Sequence, residues 1–303
     1  MNEPVTPFRE KIVKPLAGRV AVVAGATRGA GRAIAVELGA AGATVYVTGR
    51  STRAARSPMG RPETIEETAE LMAARGGIAI PVRVDHLVER EVAALTSRIS
   101  EEQNGRLDVL VNDIWGGDPP TEWGKPFWEH PLAKGLLMQQ LGVHTHVITS
   151  SHLAPLMVAR RQGLILEVTD SIAPGYRGNL FYDLAKASVI RLGLAQAADL
   201  RPHNIAAIAL TPGFLRSEAV FDHFGVSEAN WRDAIAKDPH FAASETPFYI
   251  GRAVAALAAD PHVMTKSGQA FTTGQLAREY GFTDVDGTQP DWEAYFREHL
   301  TDD

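Results

Sequence analysis

The chain contains no cysteine. That excludes disulfides, thiolate metal ligands and a cysteine nucleophile, and it fits the cytoplasm. A long apolar run is also missing. The longest, near Ile205–Leu210, falls far short of the ~20 apolar residues a membrane helix needs. The opening stretch MNEPVTPFREKIVKP is charged and interrupted by proline, without the apolar core of a secretory signal. Positive charge is not in excess: the formal net charge is -6. This argues against a dedicated nucleic-acid or anionic-membrane surface, while a local basic patch can still hold a phosphate. The expected partner is therefore a small molecule, and the expected location is the cytoplasm. No internal repeat and no low-complexity linker divides the chain.

What is present is an ordinary globular balance, 45% hydrophobic and 22% charged over 303 residues, enough for a large core. Strand-like and helix-like segments alternate. Strands are expected at Arg19–Ala24, Ala43–Thr48, Ile78–Val84, Leu107–Val111, Leu164–Val168 and Ile205–Leu210. Helices are expected at Arg32–Ala41, Glu63–Arg75, Glu89–Glu101, residues 136–159 and Tyr182–Leu200. Apolar strands separated by helices indicate a parallel sheet covered on both faces. The fold class is α/β: a single doubly wound Rossmann-type domain over residues 1–303. Its core spans about 16–280, preceded by an arm (1–15) and followed by a tail (281–303). The segment 214–247 breaks the rhythm and carries Phe221, Phe224, Trp231 and Phe241. It reads as a helical lid on the carboxyl edge of the sheet, or as a pair of packing helices. The tail reads as a docking extension or an oligomer contact.

Between the first strand and first helix lies Ala24-Gly25-Ala26-Thr27-Arg28-Gly29-Ala30-Gly31. Glycines at 25, 29 and 31 let the backbone turn tightly and approach a pyrophosphate. The free N–H groups of the helix start, with Thr27, Arg28 and Ala30 beside them, would hold that anion. The second strand ends Thr48-Gly49-Arg50-Ser51-Thr52-Arg53. An acidic residue there would bind the 2′-hydroxyl of NAD. Arg50 with Arg28 suits a 2′-phosphate instead, through charge-assisted and often bidentate bonds. Ser51 and Thr52 add hydroxyls. The expected cofactor is NADP(H).

Tyr182 and Lys186 stand four apart at the start of a helical segment, so they share a face. A phenol titrates near pH 10, and a neighbouring ammonium lowers that value. Tyr182 would then exchange a proton with a carbonyl oxygen as hydride moves. Tyr176, the nearest other tyrosine, has Leu180 at the fourth position.

Together these residues resemble the short-chain dehydrogenase/reductase family over about residues 16 to 280. The resemblance rests on Gly25-x-x-x-Gly29-x-Gly31, Asp85, Asn112, Tyr182-x-x-x-Lys186 and Pro212-Gly213. It implies Asp85 by the adenine and Asn112 supporting the central strand and cofactor. It implies Tyr182 as acid/base, with Lys186 binding the nicotinamide ribose and lowering the tyrosine pKa. Pro212-Gly213 through Ser217 would flank the nicotinamide. A homo-oligomer, dimer or tetramer, is implied too. The insertion after Asn112, with Trp115, Trp123, Phe127 and Trp128, is similar to the subgroup containing dehydrogenase/reductase member 1; simple core packing is the other reading of these aromatics.

Two departures stand out. The family's serine after the fifth strand falls at Asp170, flanked by Thr169 and Ser171. A carboxylate only accepts hydrogen bonds and would repel a developing oxyanion. Three readings follow: a flanking hydroxyl from Ser171 or Thr169, a protonated Asp170 that donates, or a cationic substrate such as an iminium. Ser171 is the favoured hydroxyl. The family's relay asparagine falls at Gly142, leaving water, His144 or His146 to carry the relay. No metal site is expected. The leading function is an NADP(H)-dependent oxidoreductase acting on a carbonyl, alcohol or imine carbon, with a hydrophobic substrate. A non-catalytic NADP sensor, and another chemistry on the same scaffold, are the alternatives.

Overall fold

The computed structural model describes residues 14–170, 172 and 175–299. Ser171 and most of the N-terminal arm lie outside these described residues. Seven parallel strands form one sheet in the order β3-β2-β1-β4-β5-β6-β7. They are β1 (Val20–Ala24), β2 (Thr44–Gly49), β3 (Ile78–Arg83), β4 (Val109–Asn112), β5 (Gly163–Val168), β6 (Ile205–Thr211) and β7 (Ala270–Thr272). The six expected strands are present. The seventh was missed because its three residues are too short to show a period. β1 and β6 are buried at every position, as parallel strands covered on both faces should be. β3 is one of the two edge strands, and its Pro81 is tolerated there because an edge position can do without an N–H.

Helices cover both faces. On one, α1 (Gly29–Ala40) packs against α8 (Pro247–Ala259). The two backbones meet closely at Gly251, where a Cβ would lie 2.8 Å from the Ala33 carbonyl oxygen. On the other, α3 (Glu89–Glu102), α5 (Thr145–Arg160) and α6 (Leu180–Leu200) share a second apolar cluster with the sheet. α2 (Ile65–Ala74) starts with a reciprocal capping box between Thr64 and Glu67, the pairing that satisfies two orphan N–H groups at once.

The long helical stretch expected at 136–159 is α4 (Leu132–Gln139), a π-helical turn at Gln140–His144, and then α5. Such π turns collect at functional sites, and this one lies beside the cleft. The segment 214–247 forms α7 (Glu218–Phe224) and two 3₁₀ turns around a small core of Phe224, Trp231, Ala234 and Phe241. After α9 (Thr273–Tyr280), the tail ends in α10 (Trp292–His299). Trp292 packs edge-on against Phe214, 5.5 Å between ring centres. Within the described residues the tail thus packs against the 214–247 segment.

Candidate active site

The strand order reverses between β1 and β4, and ligands of open α/β sheets bind beyond the strand ends at such a point. A cavity of about 1080 Å³ opens there. Its lining includes Gly25, Thr27, Arg28, Gly29 and Ala30 of the glycine loop. Arg50, Ser51 and Asp85 line it, as do Asp170, Tyr182 and Lys186. Pro212, Gly213 and Ser217 close it from the β6 side. Gly31, Thr52 and Asn112 do not line it. Gly31 supports the loop from beneath. Thr52 is spent on a local turn with Ala55. Ser171 lies outside the described residues.

The loop fits a dinucleotide. Gly25 has φ +92°, and a Cβ there would stand 2.3 Å from the Asp113 carbonyl oxygen. A Cβ on Gly31 would stand 2.4 Å from the Gly25 carbonyl oxygen. Backbone alone therefore floors the seat at the start of α1, where helix N–H groups favour an anion. One of those groups already has an anionic partner: Gly29 N–H donates to Glu218 Oε2 at 2.9 Å. Arg32 Nη1 lies 3.7 Å from the same carboxylate. Glu218 begins α7, so the carboxylate links the 214–247 segment to the glycine loop.

Near the end of β2, Arg50 approaches Asp85 to 4.0 Å; in the glycine loop, Arg28 reaches Asp118 at 3.3 Å. Arg53 turns away and pairs with Glu70 at 2.6 Å on the surface. His86 was not singled out from the sequence. It is buried between Thr48 (2.9 Å) and Thr149 (2.8 Å), and burial pulls it down to about 3, so it stays neutral.

α6 presents Tyr182 and Lys186 to the cavity. Asn179 caps the helix by accepting from Tyr182 N–H at 3.0 Å, and it donates to the Glu122 carbonyl at 2.8 Å. One residue thus fixes both Tyr182 and the loop bearing Trp123. Trp115 and Trp123 pack edge-on against Tyr182, at 5.4 and 5.2 Å between centres. The two tryptophans are site walls, while Phe127 and Trp128 are exposed and belong to neither the site nor the core. Lys186 Nζ sits 4.0 Å over the Trp115 ring and 5.4 Å from that of Tyr182. Tyr182 donates its hydroxyl proton to Asp170 Oδ2 at 2.6 Å. The expected lowering of the phenol is reversed: burial first, then the Asp170 charge and hydrogen bond, hold Tyr182 well above its ordinary range. Burial also lowers Lys186, against the pull of Asp170 and Asp113.

The departures acquire physical content here. Thr169 cannot replace the family serine, because it is buried and its hydroxyl donates to the Lys186 carbonyl at 2.7 Å. Gly142 is small for a reason: a Cβ there would lie 2.6 Å from Cζ3 of Trp115. The indole fills the space beside the π turn that a larger residue at 142 would claim. Of the two relay histidines, His144 is exposed and His146 buried. His146 meets Glu167 at 2.7 Å and the Ile114 carbonyl at 3.1 Å. Asn112 donates to Ser150 (2.8 Å) and Glu167 (2.9 Å), which is structural support beneath the cleft. Sequence reasoning passed over Asp113. It lines the cavity, and burial pushes its carboxyl up to about 7 against the opposing charges of Lys186 and His146. Its position directly after Asn112, at the end of a central strand, was the available signal.

Comparison with known proteins agrees with this geometry. A family model described as short chain dehydrogenase matches residues 19–223. Dehydrogenase/reductase SDR family member 1 of Mus musculus is 37% identical over 280 residues, covering 91% of this chain and 86% of that protein. The 7alpha-hydroxysteroid dehydrogenase of Escherichia coli strain K12 is 31% identical over 206 residues, covering 68% of this chain and 74% of that protein. A short chain dehydrogenase structure from Mycobacterium thermoresistibile has a TM-score of 0.75 at 26% identity, covering 92% of each chain. A 7 alpha-hydroxysteroid dehydrogenase complexed with NADH and 7-oxo glycochenodeoxycholic acid has a TM-score of 0.68 at 25% identity, covering 92% of this chain and 97% of the other. The chain belongs to the short-chain dehydrogenase/reductase family, whose members are NAD(P)(H)-dependent oxidoreductases of small molecules.

Proposed function

We propose that the chain is an NADP(H)-dependent oxidoreductase that moves hydride to or from the carbon of a C=O or C=N group in a hydrophobic small molecule. The observation that carries this is the meeting of Tyr182 and Lys186 in one cavity with the glycine loop and Arg50. The nicotinamide, when bound, supplies or accepts the hydride. Gly25, Gly29 and Ala30 would cradle its pyrophosphate, and Lys186 its ribose. Arg50 and Arg28 favour a 2′-phosphate, since no acidic residue stands at the end of β2 to claim a free 2′-hydroxyl.

Tyr182 keeps its proton at rest, because burial and Asp170 oppose the phenolate. It is therefore a donor. Substrate entering between Trp115, Trp123 and Phe214 would exclude water from the Tyr182 hydroxyl. Those aromatic walls suit a ring-bearing substrate, and one relative of known structure is complexed with 7-oxo glycochenodeoxycholic acid. NADPH consumption against ketones, aldehydes and cyclic imines tests the reading. With ketones and aldehydes, whose oxygen needs a proton, Tyr182→Phe should lower turnover by about 10²–10⁴-fold, the range general acid catalysis supplies, with NADPH affinity kept. Tight NADPH binding without turnover across the panel would favour the sensor reading instead.

A further inference from the structure

We propose that Asp170 makes this a site for cationic nitrogen, so that the hydride partner is a hydrophobic cyclic amine or its iminium ion rather than an alcohol or ketone. This rests on the oxidoreductase reading and names its substrate class.

The Tyr182 hydroxyl donates its proton to Asp170 Oδ2 at 2.6 Å. Asp170 lines the cavity, so its carboxylate faces the place where a reacting group would sit. A ketone oxygen brings only lone pairs. Its reduction would build an oxyanion against an acceptor-only group, which is the opposite of an oxyanion hole. The nearby hydroxyl of Thr169 is committed to the Lys186 carbonyl and cannot compensate.

Lys186 lies over Trp115 and is drawn by both Asp170 and Asp113. Arg28 bonds Asp118 at 3.3 Å, and Arg177 bonds Asp183 at 2.8 Å. Three aromatic rings close the other sides. Trp115 and Trp123 meet Tyr182 edge-on, and Trp123, 58% exposed, lines the cavity. The Trp115 face is taken by Lys186, so the Asp170 carboxylate is the group that would meet an ammonium, with the rings as apolar walls.

The chemistry balances without an oxyanion. Hydride from the reduced nicotinamide reaches the iminium carbon with its electron pair. The C=N π pair moves to nitrogen, and a neutral amine forms. No proton has to be delivered for the bond change. In reverse, the amine lone pair forms C=N as hydride leaves to the oxidised nicotinamide, and positive charge grows beside Asp170. The carboxylate favours that developing charge, so amine oxidation gains the most from it.

The test compares matched probes in wild type, Asp170→Asn and Asp170→Ser. N-methyl-3,4-dihydroisoquinolinium and 1-tetralone, nearly equal in shape, are the reducible pair. Calorimetric binding of 1,2,3,4-tetrahydroisoquinoline to NADP⁺-loaded protein is the second readout, with thermal melting as the control for folding. Wild type should prefer the cation in kcat/KM by more than about 100-fold. Asp170→Asn should weaken amine binding by about tenfold or more, in line with loss of a charged hydrogen bond. Asp170→Ser, which restores the family hydroxyl, should raise ketone turnover and lower iminium turnover. Ketone turnover equal to or above iminium turnover in wild type would overturn the proposal and leave the oxidoreductase reading standing. Absence of turnover for both probes would count against the oxidoreductase reading, and amine binding would still decide the cation site: equal affinity in wild type and Asp170→Asn refutes it.

Discussion

At the residue scale, the short-range patterns carried the most information. Gly25-x-x-x-Gly29-x-Gly31 and Tyr182-x-x-x-Lys186 need only local geometry to take effect, and each lies where its spacing placed it. Arg50 is of the same kind, because the residue closing β2 faces the cavity. Its role is open to one substitution. Arg50→Asp removes a guanidinium and adds a group that accepts from a free 2′-hydroxyl. A charge-assisted bond contributes about 1.5–3 kcal/mol, so the NADPH-over-NADH ratio in kcat/KM should fall by about 100-fold. An unchanged ratio would remove Arg50 from the cofactor assignment. Trp115, Gly142 and Asp113 were not legible in the same way. The indole matters because Gly142, far along the chain, leaves space for it. The Asp113 carboxyl matters because Lys186 and His146 converge on it. Neither relation is a spacing.

At the element scale, the strands and helices of the sheet were readable from apolar runs and cap residues, whereas their interruptions were not. The π turn at Gln140–His144 leaves no mark in the apolar period, since its neighbours continue the helix on both sides. α7 is the element with the most direct consequence for binding. Its Glu218 holds Gly29 N–H, a donor at the helix end where a pyrophosphate is expected. A carboxylate at a helix N-terminus is favourable by roughly 0.3–2 kcal/mol, and a pyrophosphate would have to share or displace it. Glu218→Gln keeps the shape and removes the charge. NADPH affinity, followed by fluorescence titration, should tighten by about 3–30-fold, with the larger gain at low salt. An unchanged or weaker Kd would mean that carboxylate and pyrophosphate do not compete for this seat.

At the scale of the whole molecule, the α/β layering was visible in the sequence, and the internal charge state was not. Glu245 sits in the stretch Phe241-Ala242-Ala243-Ser244-Glu245-Thr246-Pro247, at the end of the 214–247 segment. It is buried, close to the Gly213 backbone, and burial pushes its carboxyl up to about 8. Asp113 is pushed up to about 7 in the same way. Unfolded carboxyls titrate near pH 4. Between that value and the folded ones, the native chain holds protons that the unfolded chain has released. Stability from these groups is therefore complete below about pH 4 and is lost as pH rises through 7 and 8, by roughly 1.4 kcal/mol per pH unit for each group. His86 acts in the opposite sense: its folded value of about 3 lies below the unfolded value near 6.5, so its contribution is lost as pH falls from 6.5. Between pH 6.5 and 8 His86 is neutral in the fold and loses only its last partial charge in the unfolded chain, so the two carboxyls dominate. Urea unfolding of the full chain should accordingly show stability declining over that interval, on the order of 2 kcal/mol. Glu245→Gln should flatten most of the decline, because this group still holds its proton after Asp113 has lost its own. A variant that keeps the wild-type slope would show that Glu245 is already ionised in the native fold, and that the loop at Pro212-Gly213 rests on a buried carboxylate.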